Sequence, residues 1–207
     1  LIEVEKARNG LPILKSEGRL TASSFDPVRE ARTWAENLRP QLEKTETLIV
    51  IGVASGYHLA AVKELCPGTK LFGIERSTQV TDFALQWNPS LMPEEIVIAE
   101  KMEDLISWPH LRKALRTAYV LVTHGPTQHS EASWCSEMQD FFAARTPEAF
   151  RLHLSLRPEL AELLKGEALE TLPNELLSIK NLQKLFAPLA PCTTERRLWH
   201  VLEELVV

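Results

Sequence analysis

Cysteine is scarce in this chain. Cys66, Cys135 and Cys192 are its only three in 207 residues, and no two form a CxxC pair. An odd, widely spaced set excludes a disulfide framework and argues against a zinc site, and it fits a reducing, cytoplasmic setting. Long apolar runs are missing too. The longest, Thr47 to Ala54, is strand-sized and far below the ~18 to 20 residues of a membrane span, so no span is expected. Basic excess is absent: 23 Lys and Arg stand against 28 Asp and Glu, a formal charge of −5. That balance excludes a general nucleic-acid binder but leaves room for a small anionic ligand, which needs only local donors. There is no Walker lysine after a glycine turn, no HExxH and no Ser-His-Asp grouping, which argues against P-loop NTPases, zincins and hydrolases of that type. Internal repeats and low-complexity linkers are also lacking.

What is present reads as one α/β domain. Hydrophobic residues make up 44% of the chain, enough for a packed core. Asn9-Gly10 lies between two apolar-bearing stretches and predicts a type I′ turn in a β-hairpin or arm over residues 1–24. Asp26-Pro27 opens a helix, since Asp caps free N–H groups and Pro fits the first helical position. Val28, Ala31, Ala35 and Leu38 give it a buried face, and Arg39-Pro40 is expected to end it. Strand and helix then alternate. Strands are predicted over Thr47 to Val53, Lys70 to Glu75, Glu95 to Ala99 and Ala118 to Thr123. Helices are predicted over Tyr57 to Cys66 and Ser77 to Trp87, with helical material to about Arg116 broken near Pro109. Such alternation implies adjacent parallel strands joined by right-handed crossovers, with Thr47 to Val53 central. The expected fold is α/β, a Rossmann-like open parallel sheet with flanking helices. Residues 25–207 form the domain, and its C-terminal portion is mainly helical: Glu131 to Ala144, Pro147 to Leu154 and Pro158 to Leu164. Leu176 to Ile179 and Leu198 to Val207 fit either strand or helix.

Three clusters carry chemistry. The first is the turn Gly52-Val53-Ala54-Ser55-Gly56 followed by Tyr57 and His58. Small residues at 52, 54 and 56 permit a sharp bend and close approach of a ligand, and the following helix offers free N–H groups. Glu75, 23 residues after Gly52, ends the second strand where a carboxylate can accept hydrogen bonds from ribose hydroxyls. Arg76 follows it and can form an ion pair instead. The plain alternative is a tight turn with a surface Glu. The second cluster is Thr123 to His129 after the fourth strand, read as a loop, with His124 and His129 able to bind phosphate or move a proton. No acidic spacing completes a metal set there, and none is expected. The third is Glu100 with Lys101, Glu103 and Asp104 after the third strand, where the base of a nucleotide often lies. The five tryptophans, Trp34, Trp87, Trp108, Trp134 and Trp199, are scattered and read as core or half-buried anchors rather than a stacking platform. At the turn, Gly56→Val is expected to be more harmful than Ala54→Gly.

Two of these runs together resemble a known family. The run from Leu20 to Ala31 (LTASSFDPVREA) is similar to the S-x-x-D-P-x-x-E-A segment of the motility accessory factor (Maf) family of flagellin-modifying glycosyltransferases. Gly52 to Leu59 (GVASGYHL) resembles the family's G-x-G-x-G-Y-H turn, and Phe72-Gly73-Ile74-Glu75 its strand-ending Glu. His124-Gly125-Pro126 sits where the family has a His-Pro-type loop. The resemblance covers about residues 10–150 and lies in the family's N-terminal Rossmann-like part. It implies a module binding a nucleotide or nucleotide-sugar, or a protein partner, in surface glycan modification. It does not extend to the sialyltransferase-like domain associated with sugar transfer, so it implies a module not catalytic on its own. Class I S-adenosylmethionine-dependent methyltransferases share the strand, small-residue turn and strand-ending acid. Here Val50 replaces their usual acid two residues before the first Gly, Ala54 the middle Gly, and Thr-His-Gly-Pro an Asp/Asn-Pro-Pro ending.

The expected function is therefore a nucleotide or nucleotide-sugar binding module, with Gly52, Ala54, Ser55, Gly56, Tyr57, His58, Glu75, Arg76, Glu100 and His124 as candidate ligand residues. The alternatives are a methyltransferase using S-adenosylmethionine on an unknown acceptor, and a structural or interaction domain with an empty crevice. Whether the chain is an enzyme is left open.

Overall fold

A computed structural model describes residues 2–43, 45–92, 95–115 and 118–156. The chain divides into two compact units, Leu1–Gln139 and Asp140–Val207. The first unit opens with a small antiparallel sheet of β1 (Ile2–Lys6), β2 (Pro12–Ser16) and β3 (Arg19–Leu20), in that spatial order. The hairpin is where Asn9-Gly10 places it, but its turn differs. Lys6 pairs with Pro12, leaving a five-residue loop closed by Ala7 N–H to the Leu11 carbonyl at 2.8 Å. Only Gly10 has a positive φ there, and Asn9 instead accepts the Leu11 N–H through its side chain. The two-residue turn with both φ values positive lies at Glu17 (49°) and Gly18 (77°), between the paired Ser16 and Arg19.

α1 (Pro27–Leu42) starts as the sequence predicts: the Asp26 carboxylate accepts from Arg29 N–H at 3.1 Å, and Pro27 occupies the first turn. Ala31, Ala35 and Leu38 are buried, whereas Val28 is exposed. The helix does not stop at Pro40. A proline so near the end forfeits one backbone bond, and the turn still closes through Glu43 N–H to the Arg39 carbonyl at 3.0 Å.

The central sheet follows: β4 (Thr47–Ile51), α2 (Tyr57–Leu65), β5 (Lys70–Glu75), α3 (Thr78–Trp87), β6 (Ile96–Ile98), a 3-10 turn over Met102–Ser107, α4 (Leu111–Ala114) and β7 (Tyr119–Thr123). Its four strands are all parallel in the order β6-β5-β4-β7, so β4 is interior, as expected. Every residue of β4 is buried, which is why its run is apolar throughout rather than alternating. Leu48 and Val50 pack in the cluster that holds Ala31, Ala35 and Leu38 of α1 and Leu59 and Val62 of α2. Consecutive strands β4, β5 and β6 step one way and β7 returns to the other side of β4. The crevice between β4 and β7 is therefore the topological switch point, where ligands bind in open α/β sheets.

The segment after β7, expected to be a loop, is α5 (Gly125–Ser130), a short helix with Pro126 in its first turn. α6 (Ala132–Ala143) follows. Within the second unit, α7 (Pro147–Leu156) is capped by Thr146, which accepts the Ala149 N–H at 3.1 Å, and His153 meets the Phe141 carbonyl at 2.7 Å. The expectations for residues 158–164, 176–179 and 198–207 lie outside the described residues. No described helix is long and apolar enough to cross a membrane.

Candidate functional site

The glycine turn is shaped for packing. Gly52, Ala54 and Gly56 all have positive φ, 95°, 49° and 79°. A Cβ on Gly52 would lie 2.5 Å from Thr127 Oγ1, and one on Gly56 would lie 2.8 Å from Asn88 Nδ2 and 2.9 Å from Ala84 Cβ. The two glycines thus let α5 and α3 approach the turn. Asn88, buried at the end of α3, donates to the carbonyls of Ser55 and Ala84, both at 3.0 Å. Ser55 faces the N-terminal sheet: its Oγ accepts the Leu14 N–H at 2.9 Å and is 2.8 Å from Thr21 Oγ1. Because the Thr21 hydroxyl donates to the Leu14 carbonyl at 3.0 Å, Ser55 is the donor between the two hydroxyls. β2 and β3 therefore sit against the turn. Gly56→Ala should lower stability by about 2 kcal/mol from the left-handed backbone alone. Ala54→Gly should leave stability unchanged or raise it by up to about 1 kcal/mol, since Ala54 already holds a left-handed φ. Denaturant melts of the two variants check this, and equal midpoints would contradict it.

Glu75 lies inside the protein rather than in an open crevice, at 3% exposure. One carboxylate oxygen accepts the N–H groups of Val53 (2.9 Å) and Ala54 (3.1 Å), and the other those of Arg76 (2.8 Å) and Ser77 (3.3 Å). Burial pushes its carboxyl up from the ordinary value, while these four donors favour the charged form. The carboxylate so binds the glycine turn to the start of α3.

At the switch point lies a partly open cavity of about 320 Å³, roughly ten water volumes. Its lining includes Thr21, Glu30, Trp34, Tyr57, His58 and His124. His58 and His124 stack face to face, centroids 4.0 Å apart and planes 8° from parallel, and Trp34 meets His58 edge-on at 5.2 Å. Both histidines are buried. His58 Nε2 is 3.0 Å from the Gly52 carbonyl, and His124 Nδ1 is 3.0 Å from Thr127 Oγ1. The other nitrogens, His58 Nδ1 and His124 Nε2, have no partner among the described residues. Neither is a buried atom cut off from solvent, and both residues line the cavity. Burial lowers His58 to about 4, against the raising effect of its bond to Gly52. Burial, and then the neighbouring His58, lowers His124 well below its ordinary value. Both rings are neutral at pH 7.

Arg76 and Glu100 belong to a different place. They line a wider cleft of about 690 Å³ with Ser77, Thr78 and Glu131 beyond β5 and β6. There Arg76 Nη1 lies 3.7 Å from Glu131 Oε2. The candidate residues thus divide: Ser55, Tyr57, His58 and His124 share the switch-point cavity, Arg76 and Glu100 share the outer cleft, and Gly52, Ala54, Gly56 and Glu75 build the turn between elements. Tyr57 is anchored as well, its hydroxyl donating to the Pro12 carbonyl at 2.7 Å. Cys135 is a buried thiol pushed up to about 12 by burial, with Glu131 and Glu75 adding to the effect. No cluster of three metal-ligating side chains occurs among the described residues.

Sequence reasoning missed Thr21, Glu30 and Thr127 as site residues and treated Trp34 only as an anchor. Thr21, Glu30 and Trp34 are brought in by tertiary packing, whereas Thr127 meets His124 locally, three residues along the start of α5. The local signals were that spacing and Glu30 one turn into a capped helix. Searches against protein families, curated proteins and solved structures return no match to the chain.

Proposed function

We propose that the chain is a Rossmann-like binding module for a nucleotide-type small ligand, seated in the switch-point cavity against His58 and His124. The observation that carries this reading is the stacked histidine pair. Each ring is fixed through one nitrogen, and each presents the other to a cavity of ligand size. The likeness to the N-terminal part of the flagellin-modifying glycosyltransferases points to a nucleotide-sugar as the ligand and to a binding rather than a transferring role. The methyltransferase reading draws no support from Glu75 and Ser55. The first is engaged by four backbone amides and the second by β2 and β3. Those internal bonds, with Asn88, favour instead a second reading as a structural or interaction domain.

Thermal melts with CMP, UDP-glucose and S-adenosylmethionine test the proposal. A ligand at a hundred times its Kd raises stability by about 2.7 kcal/mol. At least one of the first two should raise the melting temperature of the wild type but not of His124→Phe, which keeps the stacked ring and loses its nitrogens. No shift with any compound, or an equal shift in both proteins, would sink it.

A further inference from the structure

Resting on that reading, we infer that the switch-point cavity takes an uncharged, hydrogen-bond-donating ring of its ligand, the sugar or the base, and keeps phosphate out. His58 sets the polarity of the cavity. Its Nε2 faces the Gly52 carbonyl at 3.0 Å, and a carbonyl can only accept, so the proton is on Nε2. The Gly52 peptide unit is held in place, its N–H bonded to the Ile74 carbonyl at 2.8 Å. A neutral imidazole with hydrogen on Nε2 has a bare lone pair on Nδ1, so the cavity meets a fixed acceptor there. His124 is adaptable: its Nδ1 partner is the Thr127 hydroxyl, which donates or accepts by rotating, so Nε2 is the reverse of whatever Nδ1 does.

The remaining polar groups lean the same way. The Tyr57 hydroxyl is committed to Pro12, and Ser55 to Leu14 and Thr21. Glu30, an exposed residue of the lining, gives one oxygen to the Ser23 N–H at 2.6 Å and leaves the other as an acceptor. Among the described residues, no lysine or arginine lines the cavity. α2 begins at its wall, but a helix N-terminus carries only roughly half an elementary charge, against the one to two of a phosphate group and the one of Glu30. Thr123 is the exception, since its Oγ1 accepts from Gln139 Nε2 at 2.7 Å and keeps its own hydrogen to donate. The fixed acceptor on His58 and the Glu30 carboxylate still set the balance, and among the described residues a negative group finds no full counter-charge. Ala22, Pro27, Ala31 and the Trp34 ring supply apolar surface for the faces of a ring. An uncharged ring bearing O–H or N–H groups satisfies all of these demands at once.

The experiment is long-range 1H–15N spectroscopy of the histidine rings at pH 7, titrating the whole chain with cytidine, methyl α-glucopyranoside, CMP and inorganic phosphate. His58 is expected with hydrogen on Nε2. Cytidine or the glucoside should move its Nδ1 resonance, which separates base from sugar as the seated ring. Inorganic phosphate should move neither ring, and CMP should bind no more than about twofold tighter than cytidine. In Glu30→Gln the advantage of CMP should rise, because a like charge is gone. A His58 ring carrying hydrogen on Nδ1 overturns the inference. So does movement with phosphate or CMP but neither uncharged probe, which leaves the binding module standing. Silence from all four overturns both.

Discussion

Glu75→Ala is expected to lower the stability of the ligand-free protein by about 2 to 4 kcal/mol: the buried N–H groups of Val53 and Ala54 lose their acceptor at about 1 to 2 kcal/mol each, while those of Arg76 and Ser77 are only part-buried and can turn to water. Typical domains have a total of about 5 to 15 kcal/mol, so the variant should lose a large share of its stability. Glu75→Gln should fall between, because its amide oxygen still accepts while its NH2 faces donors. Urea melts of the three proteins measure the order. A ribose-binding carboxylate in an open crevice would behave in the opposite way. It would be hydrated without ligand, and its removal would cost affinity but little stability. Glu75→Ala within about 1 kcal/mol of wild type, with ligand affinity lost, would restore the ribose role.

That contrast marks the limit of what the chain's pattern tells. An acid at the end of the second strand, 23 residues beyond a glycine turn, looks the same whether it receives ribose O–H groups or the turn's own N–H groups. Only the path of the turn decides, and that path depends on Gly52 and Gly56 lying under Thr127 and Asn88. The sheet was legible because β4 and β5 are strongly apolar and the β4–β5 and β5–β6 crossovers each carry a clear helix. The start of α1 was legible because a cap and a proline act locally. α5 was not, since six residues are too few for a helical period to emerge. The turn at Glu17-Gly18 was missed because Glu is not a residue that favours positive φ. Trp34 and Thr21 reach the cavity only through the docking of α1 and the N-terminal sheet, which no short-range pattern encodes.

The histidine pair should make the fold acid-sensitive at a pH where carboxylates alone have little effect. His58 titrates at about 4 in the folded protein, below its ordinary 6.5, because burial penalises its charged form. Between those values the unfolded chain binds a proton that the folded one refuses. Stability therefore falls as pH drops from 6.5 toward 4 and levels off below. At 1.36 kcal/mol per pH unit the loss is about 3 kcal/mol from His58 alone. His124 is lowered for the same reason and steepens the slope, and charging both stacked rings at 4.0 Å is opposed by their repulsion. Glu75 works in the other direction. Burial raises its carboxyl, so its own contribution grows as pH falls through that raised value. Comparing wild type with His58→Gln cancels the Glu75 effect: the Gln amide can still donate to the Gly52 carbonyl and stays neutral throughout. Urea melts from pH 7 to pH 4 should show the wild type losing about 3 kcal/mol more than the variant. A ligand bound to the bare Nδ1 of His58 would hold the ring neutral to still lower pH, so a saturating uncharged probe should steepen this loss, not relieve it. Parallel curves for wild type and variant would mean that His58 protonates as freely in the fold as in the unfolded chain, and the neutral acceptor at the centre of the site would have to be given up.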